Sequence, residues 1–345
     1  MNERSILLVG NFLSRATGTR SVCEELSQRL AANGWETIET SHHVSRIARL
    51  IDMLFTILFY SRRYRVAYVE VYSGPAFLWA ELTVRLLSIL RKPKILVLHG
   101  GGLVDFAGKN KLRVAKLLGM GELVATPSLY LRSGLRSFRP DLLYLPNAVD
   151  AGNYHFRLRR QPSPILIWLR AFHEIYQPEL AVRVLANLIG EFPDATLIMI
   201  GPDKKDGSFV NAMNEAKRLG VFSSITVTGP IRKSEVPEWI AKGDIFLNTT
   251  RLESFGVGVL EAALTGLPIV STSVGEIPFL WEHEQTAMLI PDSDDRAMAS
   301  AVRRILCESE LAEKLSLNAR QKAESFDWRG ILPQWENLFQ GLEQA

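Results

Sequence analysis

Two cysteines in 345 residues, Cys23 and Cys307, cannot build a disulfide framework. The expected setting is a reducing one, the cytoplasm. No run of 18 apolar residues occurs, so no transmembrane helix is expected. The first apolar run, Ile6-Leu7-Leu8-Val9, is too short for a signal peptide and reads as a buried strand. There is no G-x-G-x-x-G, which removes the dinucleotide fingerprint. There is no C-x-x-C, H-E-x-x-H or nucleophile elbow, which removes thiol redox pairs, zinc peptidases and serine hydrolases. No repeat of solenoid period is present, and nothing marks a nucleic-acid partner. Asp292, Asp294 and Asp295 follow a strand and read as a polar loop or helix cap, so no metal site is expected.

What is present is ordinary for a globular protein: 47% apolar and 22% charged residues, enough chain for two cores. The net charge of +3 hides an asymmetry, +11 over residues 1–160 and −8 over the rest. A basic half fits an anionic surface or acceptor, and equally two solvated faces of opposite sign.

Strand and helix patterns alternate along the chain, as a parallel α/β sheet requires. Residues 6–9 read as a strand, 11–19 as a loop holding Gly18, and 21–33 as a helix with Val22, Leu26 and Leu30 on one face. Residues 43–60 carry Ile47, Leu50, Ile51, Leu54, Phe55 and Leu58 at helical spacing, with Arg46 and Arg49 near the start and Arg62-Arg63-Tyr64-Arg65 after. Such a helix packs on a sheet or lies on an anionic membrane, and does both if one edge stays exposed. Strands at 66–71 and 95–98 flank a helix at 75–90. His99-Gly100-Gly101-Gly102 then falls at a strand's carboxyl end, where a histidine faces a cleft and glycines allow close backbone approach. Strands at 165–169, 196–200 and 225–228 end in Arg170, in Gly201-Pro202-Asp203-Lys204-Lys205 and in Gly229-Pro230-Ile231. An arginine at a strand's carboxyl end suits a diphosphate, because its fork is planar, charged and bidentate.

The organising stretch is Arg251-Leu252-Glu253-Ser254-Phe255-Gly256-Val257-Gly258-Val259-Leu260-Glu261-Ala262-Ala263. A strand at 244–248 precedes it, and a helix at 257–265 grows out of it and stops at Gly266. Unpaired N–H groups at that helix start offer an anion site, and Gly256 and Gly258 let a phosphate approach. Glu261 sits on a helix that is apolar nearly all round, so its carboxylate is buried and needs a partner, a role a ligand hydroxyl would serve. Glu253, on the loop, is placed to accept hydrogen bonds from a polar ligand.

At these residues the chain resembles the retaining, nucleotide-sugar-dependent glycosyltransferases of family 4, which have the GT-B fold. Glu253 and Glu261 form the Glu-x7-Glu signature. The surrounding text also fits: Thr228-Gly229-Pro230, Gly243-Asp244-Ile245-Phe246-Leu247, Glu261-Ala262-Ala263-Leu264-Thr265-Gly266-Leu267-Pro268 and Val274-Gly275-Glu276-Ile277-Pro278. The resemblance is specific from about Pro164 to Trp335 and looser before it.

The resemblance implies two Rossmann-like, doubly wound domains facing a cleft: 1–150 for the acceptor, 151–325 for the nucleotide sugar, and a final helix over 326–345 crossing back to the first. The Pro146-Asn147 pair matches the family's hinge, followed by the linker-like Gln161-Pro162-Ser163-Pro164. It implies a metal-independent, cofactor-free hexosyl- or N-acetylhexosaminyltransferase using a UDP- or GDP-sugar, acting on a hydroxyl of a lipid-linked glycan or polysaccharide intermediate. By resemblance, Gly18 and His99 border the sugar, and Arg170 with the N–H groups around Ser254, Phe255, Gly256 and Val257 holds the diphosphate. Glu261 holds the ribose, Glu253 the sugar hydroxyls, and Ile231 the base. The family's lysine, five positions after the arginine, is replaced by Ile175; its charge falls to Lys204, Lys205, His173 or nothing. That departure keeps two other readings open: a nucleotide-sugar-binding subunit with little transfer, and an epimerase on the same architecture.

Overall fold

The computed structural model describes residues 4–14 and 20–344. β1 (Ser5–Val9), β2 (Glu36–Thr40), β3 (Val66–Val71), β4 (Lys94–Leu98), β5 (Leu123–Thr126) and β6 (Leu143–Tyr144) form one sheet, ordered β2-β1-β3-β4-β5-β6. β7 (Ile165–Leu169), β8 (Thr196–Ile200), β9 (Ile225–Gly229), β10 (Ile245–Asn248), β11 (Ile269–Thr272) and β12 (Met288–Ile290) form a second, ordered β12-β11-β10-β7-β8-β9. Every pairing in both sheets is parallel. The chain forms two compact units, Met1–Asn147 with Trp328–Ala345, and Ala148–Asp327.

The inner strands are buried on both faces, which is why they read as continuous apolar runs. All six residues of β3 are buried, Glu70 among them. Each sheet reverses its winding once. In the first the reversal lies between β1 and β3, in the second between β7 and β10. At such a switch point two crossovers leave in opposite directions and open a crevice beyond the strand ends.

The final helix, Trp328–Gln344, belongs to the first unit. Trp335 meets the Tyr68 ring edge-on at 5.6 Å, and Trp35 Nε1 donates to Glu336 Oε1 at 3.0 Å.

The helix Arg46–Phe59 packs through one face only. Arg49, Met53, Thr56 and Ile57 are buried. Ile47, Ile51, Phe55, Leu58 and Phe59 are 52–74% exposed. Phe55 and Phe59 stack on each other at 5.3 Å. The helix therefore meets the sheet and also keeps an apolar edge in solvent.

Candidate functional site

In the second unit the switch point gathers the residues singled out in sequence. Arg170 follows β7 directly, and its N–H donates to Ile200 O at 3.0 Å. Its Nη2 donates to Asn248 Oδ1, at the end of β10, at 3.3 Å. The same nitrogen forms an ion pair with Glu253 Oε2. The guanidinium also lies over the Tyr176 ring at 5.3 Å. Both partners are largely hidden from water. Arg170 Nε is buried with no acceptor among the described residues. An N–H left like this costs roughly 1–3 kcal/mol, so the site holds a strong donor in reserve.

The sequence presents Arg170 and Glu253 as separate ligand contacts; the fold makes them a pair. Two opposite charges at a low-dielectric switch point must compensate each other. The Glu253 backbone is held as well. Glu276 N–H donates to Glu253 O at 2.9 Å. Gly275 has φ of 55°, and a Cβ there would sit 2.1 Å from Glu253 O, so only glycine fits.

Gly256, with φ of 94°, opens the helix Val257–Thr265 in a left-handed conformation that favours glycine. The positive end of that helix thus falls just after the β10 loop. Ser254 is half-buried, and Phe255 is buried against Phe326 at 5.8 Å.

Glu261 is buried on this helix, as its apolar neighbours require. Its partners come from the protein. Tyr154 Oη donates to Oε1 at 2.7 Å, and Lys233 Nζ forms an ion pair with the same oxygen. Lys233 went unnoticed in the sequence, since a lone lysine after the β9 turn carries no pattern. It brings the β9 loop, and with it Ile231, to the helix that bears Glu261.

Ile175 lies in the short turn Glu174–Tyr176; its N–H donates to His173 Nδ1 at 3.2 Å, and its carbonyl accepts from Arg251 N–H at 2.8 Å. Lys204 and Lys205 sit in the turn after β8 with exposed side chains. Lys204 N–H donates to Phe172 O at 3.1 Å. Gly18 lies outside the described residues.

His99 belongs to the first unit. Its N–H donates to Val71 O at 2.9 Å, and its ring stacks on Tyr72 at 5.4 Å. Nε2 is 3.4 Å from Tyr68 Oη and 3.8 Å from Glu70 Oε1. Burial lowers its pKa to about 4, so it is neutral at pH 7. Glu70, buried beside it, is pushed up to about 7 by desolvation, against the pull of the Asn11 N–H and the Tyr72 hydroxyl. Glu70 also escaped the sequence reading, because one glutamate inside an apolar strand looks like any edge residue.

Among the described residues no group of three or more His, Cys, Asp or Glu is placed to hold a metal ion. No helix among them is long and apolar enough to cross a membrane.

Residues 163–308 match the family described as glycosyl transferases group 1. Over 181 residues the chain is 29% identical to N-acetyl-alpha-D-glucosaminyl L-malate synthase of Bacillus anthracis, a match covering 52% of this chain and 46% of that protein. It is 25% identical over 168 residues to D-inositol 3-phosphate glycosyltransferase of Jonesia denitrificans, covering 48% and 40%. These matches span less than half the length of either relative. Sucrose-phosphate synthase from Thermosynechococcus elongatus superposes with a TM-score of 0.80 at 18% identity, covering 98% of this chain and 99% of that one. Anabaena HepE, solved with UDP and glucose, gives 0.78 at 16% identity, covering 98% and 100%. The fold is that of these GT-B structures, and within the second unit residues 163–308 are similar to the glycosyl transferases of group 1.

Proposed function

We propose that this chain is a retaining glycosyltransferase that moves a hexosyl or N-acetylhexosaminyl group from a UDP- or GDP-sugar to a hydroxyl acceptor. The observation that carries this reading is Arg170: a permanent cation at a switch point, clamped by Glu253 and Asn248, with a buried donor in reserve beside a helix N-terminus.

The chemistry is charge handling. The bond from the sugar C1 to the diphosphate oxygen breaks, the leaving group gains charge and the sugar becomes oxocarbenium-like. Arg170, the N–H groups of Phe255, Gly256 and Val257, and the helix dipole take up that charge. The acceptor oxygen bonds C1 on the face the diphosphate left, and its proton passes to the leaving phosphate. Glu253 and Ser254 orient the sugar hydroxyls and the phosphate. Glu261, with Lys233 as counter-ion, holds the ribose, and Ile231 packs on the base. In this reading no metal is required. Orientation of this kind supplies about 7–11 kcal/mol of the barrier in well-placed reactions.

The acceptor in this proposal is a lipid-linked glycan or polysaccharide intermediate at the cytoplasmic face of a membrane. The exposed apolar edge of the helix Arg46–Phe59, followed by Arg62, Arg63 and Arg65, is the surface that would rest on anionic lipid.

The direct test is thermal stabilisation by UDP, GDP and their sugars, followed by a transfer assay. Ligand at about 100 times its dissociation constant adds roughly 2.7 kcal/mol of stability. A shift with one nucleotide names the base; no shift with any of them sinks the reading. Ile175 favours one alternative, a donor-binding subunit without transfer. Donor binding without turnover across an acceptor panel selects it.

A further inference from the structure

Glu261 gives one carboxylate oxygen to two donors of unlike kind. Tyr154 Oη donates to Oε1 at 2.7 Å, and Lys233 Nζ pairs with the same atom. The lysine side chain is 42% exposed and rides on a flexible stem. The tyrosine is buried. Lys233 supplies charge, and Tyr154 supplies direction.

The segment around Tyr154 is fastened to the helix it serves. Tyr154 follows the short turn Ala151–Asn153, and its N–H donates to Ala151 O at 3.2 Å. Ala151 N–H donates in turn to Asp327 Oδ2 at 2.9 Å. The Tyr154 carbonyl accepts from Arg320 Nη1 at 3.2 Å. That nitrogen also donates to Leu264 O, in the last turn of the helix Val257–Thr265, and the guanidinium lies over the Phe156 ring at 5.8 Å. Arg157 N–H donates to Thr265 O at 3.2 Å, and Arg159 Nη1 donates to the same carbonyl. Gly266 lets the segment come this close, since a Cβ there would lie 2.5 Å from Arg157 O. Residues 154–159 are thus tied to the C-terminal end of the helix that bears Glu261. With its backbone held on both sides, the phenol hydroxyl has a set position against the carboxylate.

A carboxylate oxygen accepts about two hydrogen bonds. On Oε1 the phenol and the ammonium use both. That leaves Oε2 for a ligand, and a vicinal diol brings the donors it can take. We propose that Tyr154 is a positioning residue for the donor nucleotide: by holding Oε1 it aims Oε2 at the ribose, and so makes the site prefer a ribonucleotide over its 2′-deoxy form. This rests on the reading above in which Glu261 holds the ribose. Without the hydroxyl, the carboxylate turns about its last torsion and follows the mobile lysine, and the bonds to the ribose hydroxyls weaken.

The test is titration calorimetry with UDP, 2′-deoxy-UDP, GDP and 2′-deoxy-GDP. Wild type binds one ribonucleotide about tenfold or more tighter than its deoxy form, the scale of one hydrogen bond to a charged group. In Tyr154→Phe that ratio falls to about threefold or less, mainly through weaker ribonucleotide binding. Glu261→Leu lowers the ratio as well, and adding Tyr154→Phe to it lowers the ratio no further. A tyrosine that only packs would weaken both forms alike. An unchanged ratio in Tyr154→Phe therefore overturns the proposal, as does a wild type without ribose preference or a Tyr154 effect that persists in Glu261→Leu. Should Tyr154→Phe fail to fold, Arg320→Gln, which unties the tyrosine carbonyl and keeps the ring and hydroxyl, decides by the same ratio. Nucleotide binding with an unchanged ratio sinks the role of Tyr154 alone. No binding of any nucleotide by wild type removes the donor-site reading, and this role with it.

Discussion

Arg170 and Glu253, 83 positions apart, form a largely buried ion pair at the second switch point, and Asn248 shares the arginine. Breaking a buried pair from one side leaves an uncompensated charge, at about 3–5 kcal/mol. Glu253→Ala should therefore lower both transfer and stability. Transfer should fall about 100-fold or more, the scale seen when one transition-state contact is lost. Urea melts beside initial rates check this; a variant of wild-type activity would remove the site assignment.

Donor binding should depend on Lys233 through its ion pair with Glu261. Lys233→Met strips Glu261 of its counter-ion and should weaken UDP or GDP binding about tenfold. Lys204→Ala and Lys205→Ala remove exposed side chains and should change it less. Titration calorimetry on the three variants ranks them, and a larger loss at Lys204 or Lys205 would reassign the charge.

Glu70 and His99 should give opposing pH dependences of stability. Glu70 is raised from 4.5 to about 7, so as pH climbs between those values the unfolded chain releases a proton that the folded one keeps, and stability falls. His99 is lowered from 6.5 to about 4, so as pH drops between those values the unfolded chain takes up a proton that the folded one refuses, and stability falls. Each slope is about 1.4 kcal/mol per pH unit. Cys23, Tyr68 and Tyr72 nearby are all raised and stay neutral here. From about pH 4.5 to 6.5, Glu70→Gln should make stability rise more steeply with pH, and His99→Gln should make it fall. Denaturant melts across that window test both signs; parallel slopes in the two variants would refute them.

Lipid binding should follow the exposed edge of the helix Arg46–Phe59. Wild type should co-sediment with vesicles containing phosphatidylglycerol and far less with phosphatidylcholine alone. Ile51→Glu with Phe55→Glu should cut the bound fraction about tenfold without changing the thermal midpoint, since both side chains face solvent. Equal sedimentation of variant and wild type would exclude this surface.

Much of the fold was legible because inner parallel strands are buried on both faces. Residues 66–71, 165–169 and 196–200 announce themselves as apolar runs, and the structure has strands there. β2, Glu36-Thr37-Ile38-Glu39-Thr40, did not: it is an edge strand, half-exposed, and its residues carry no core signal. The burial of Glu261 was likewise readable from its helix.

Periodicity, turn glycines and a loop-to-helix junction are local properties, and the sequence by itself determined those: alternating strands and helices, an arginine at one strand end, two glutamates eight apart. Which groups meet is a matter of strand order. Only the tertiary structure joined Arg170 to Glu253, Glu261 to Lys233 and Tyr154, and Glu70 to Asn11 and His99. Each of those meetings spans tens of residues and was set when the sheets reversed their winding, which no local pattern encodes.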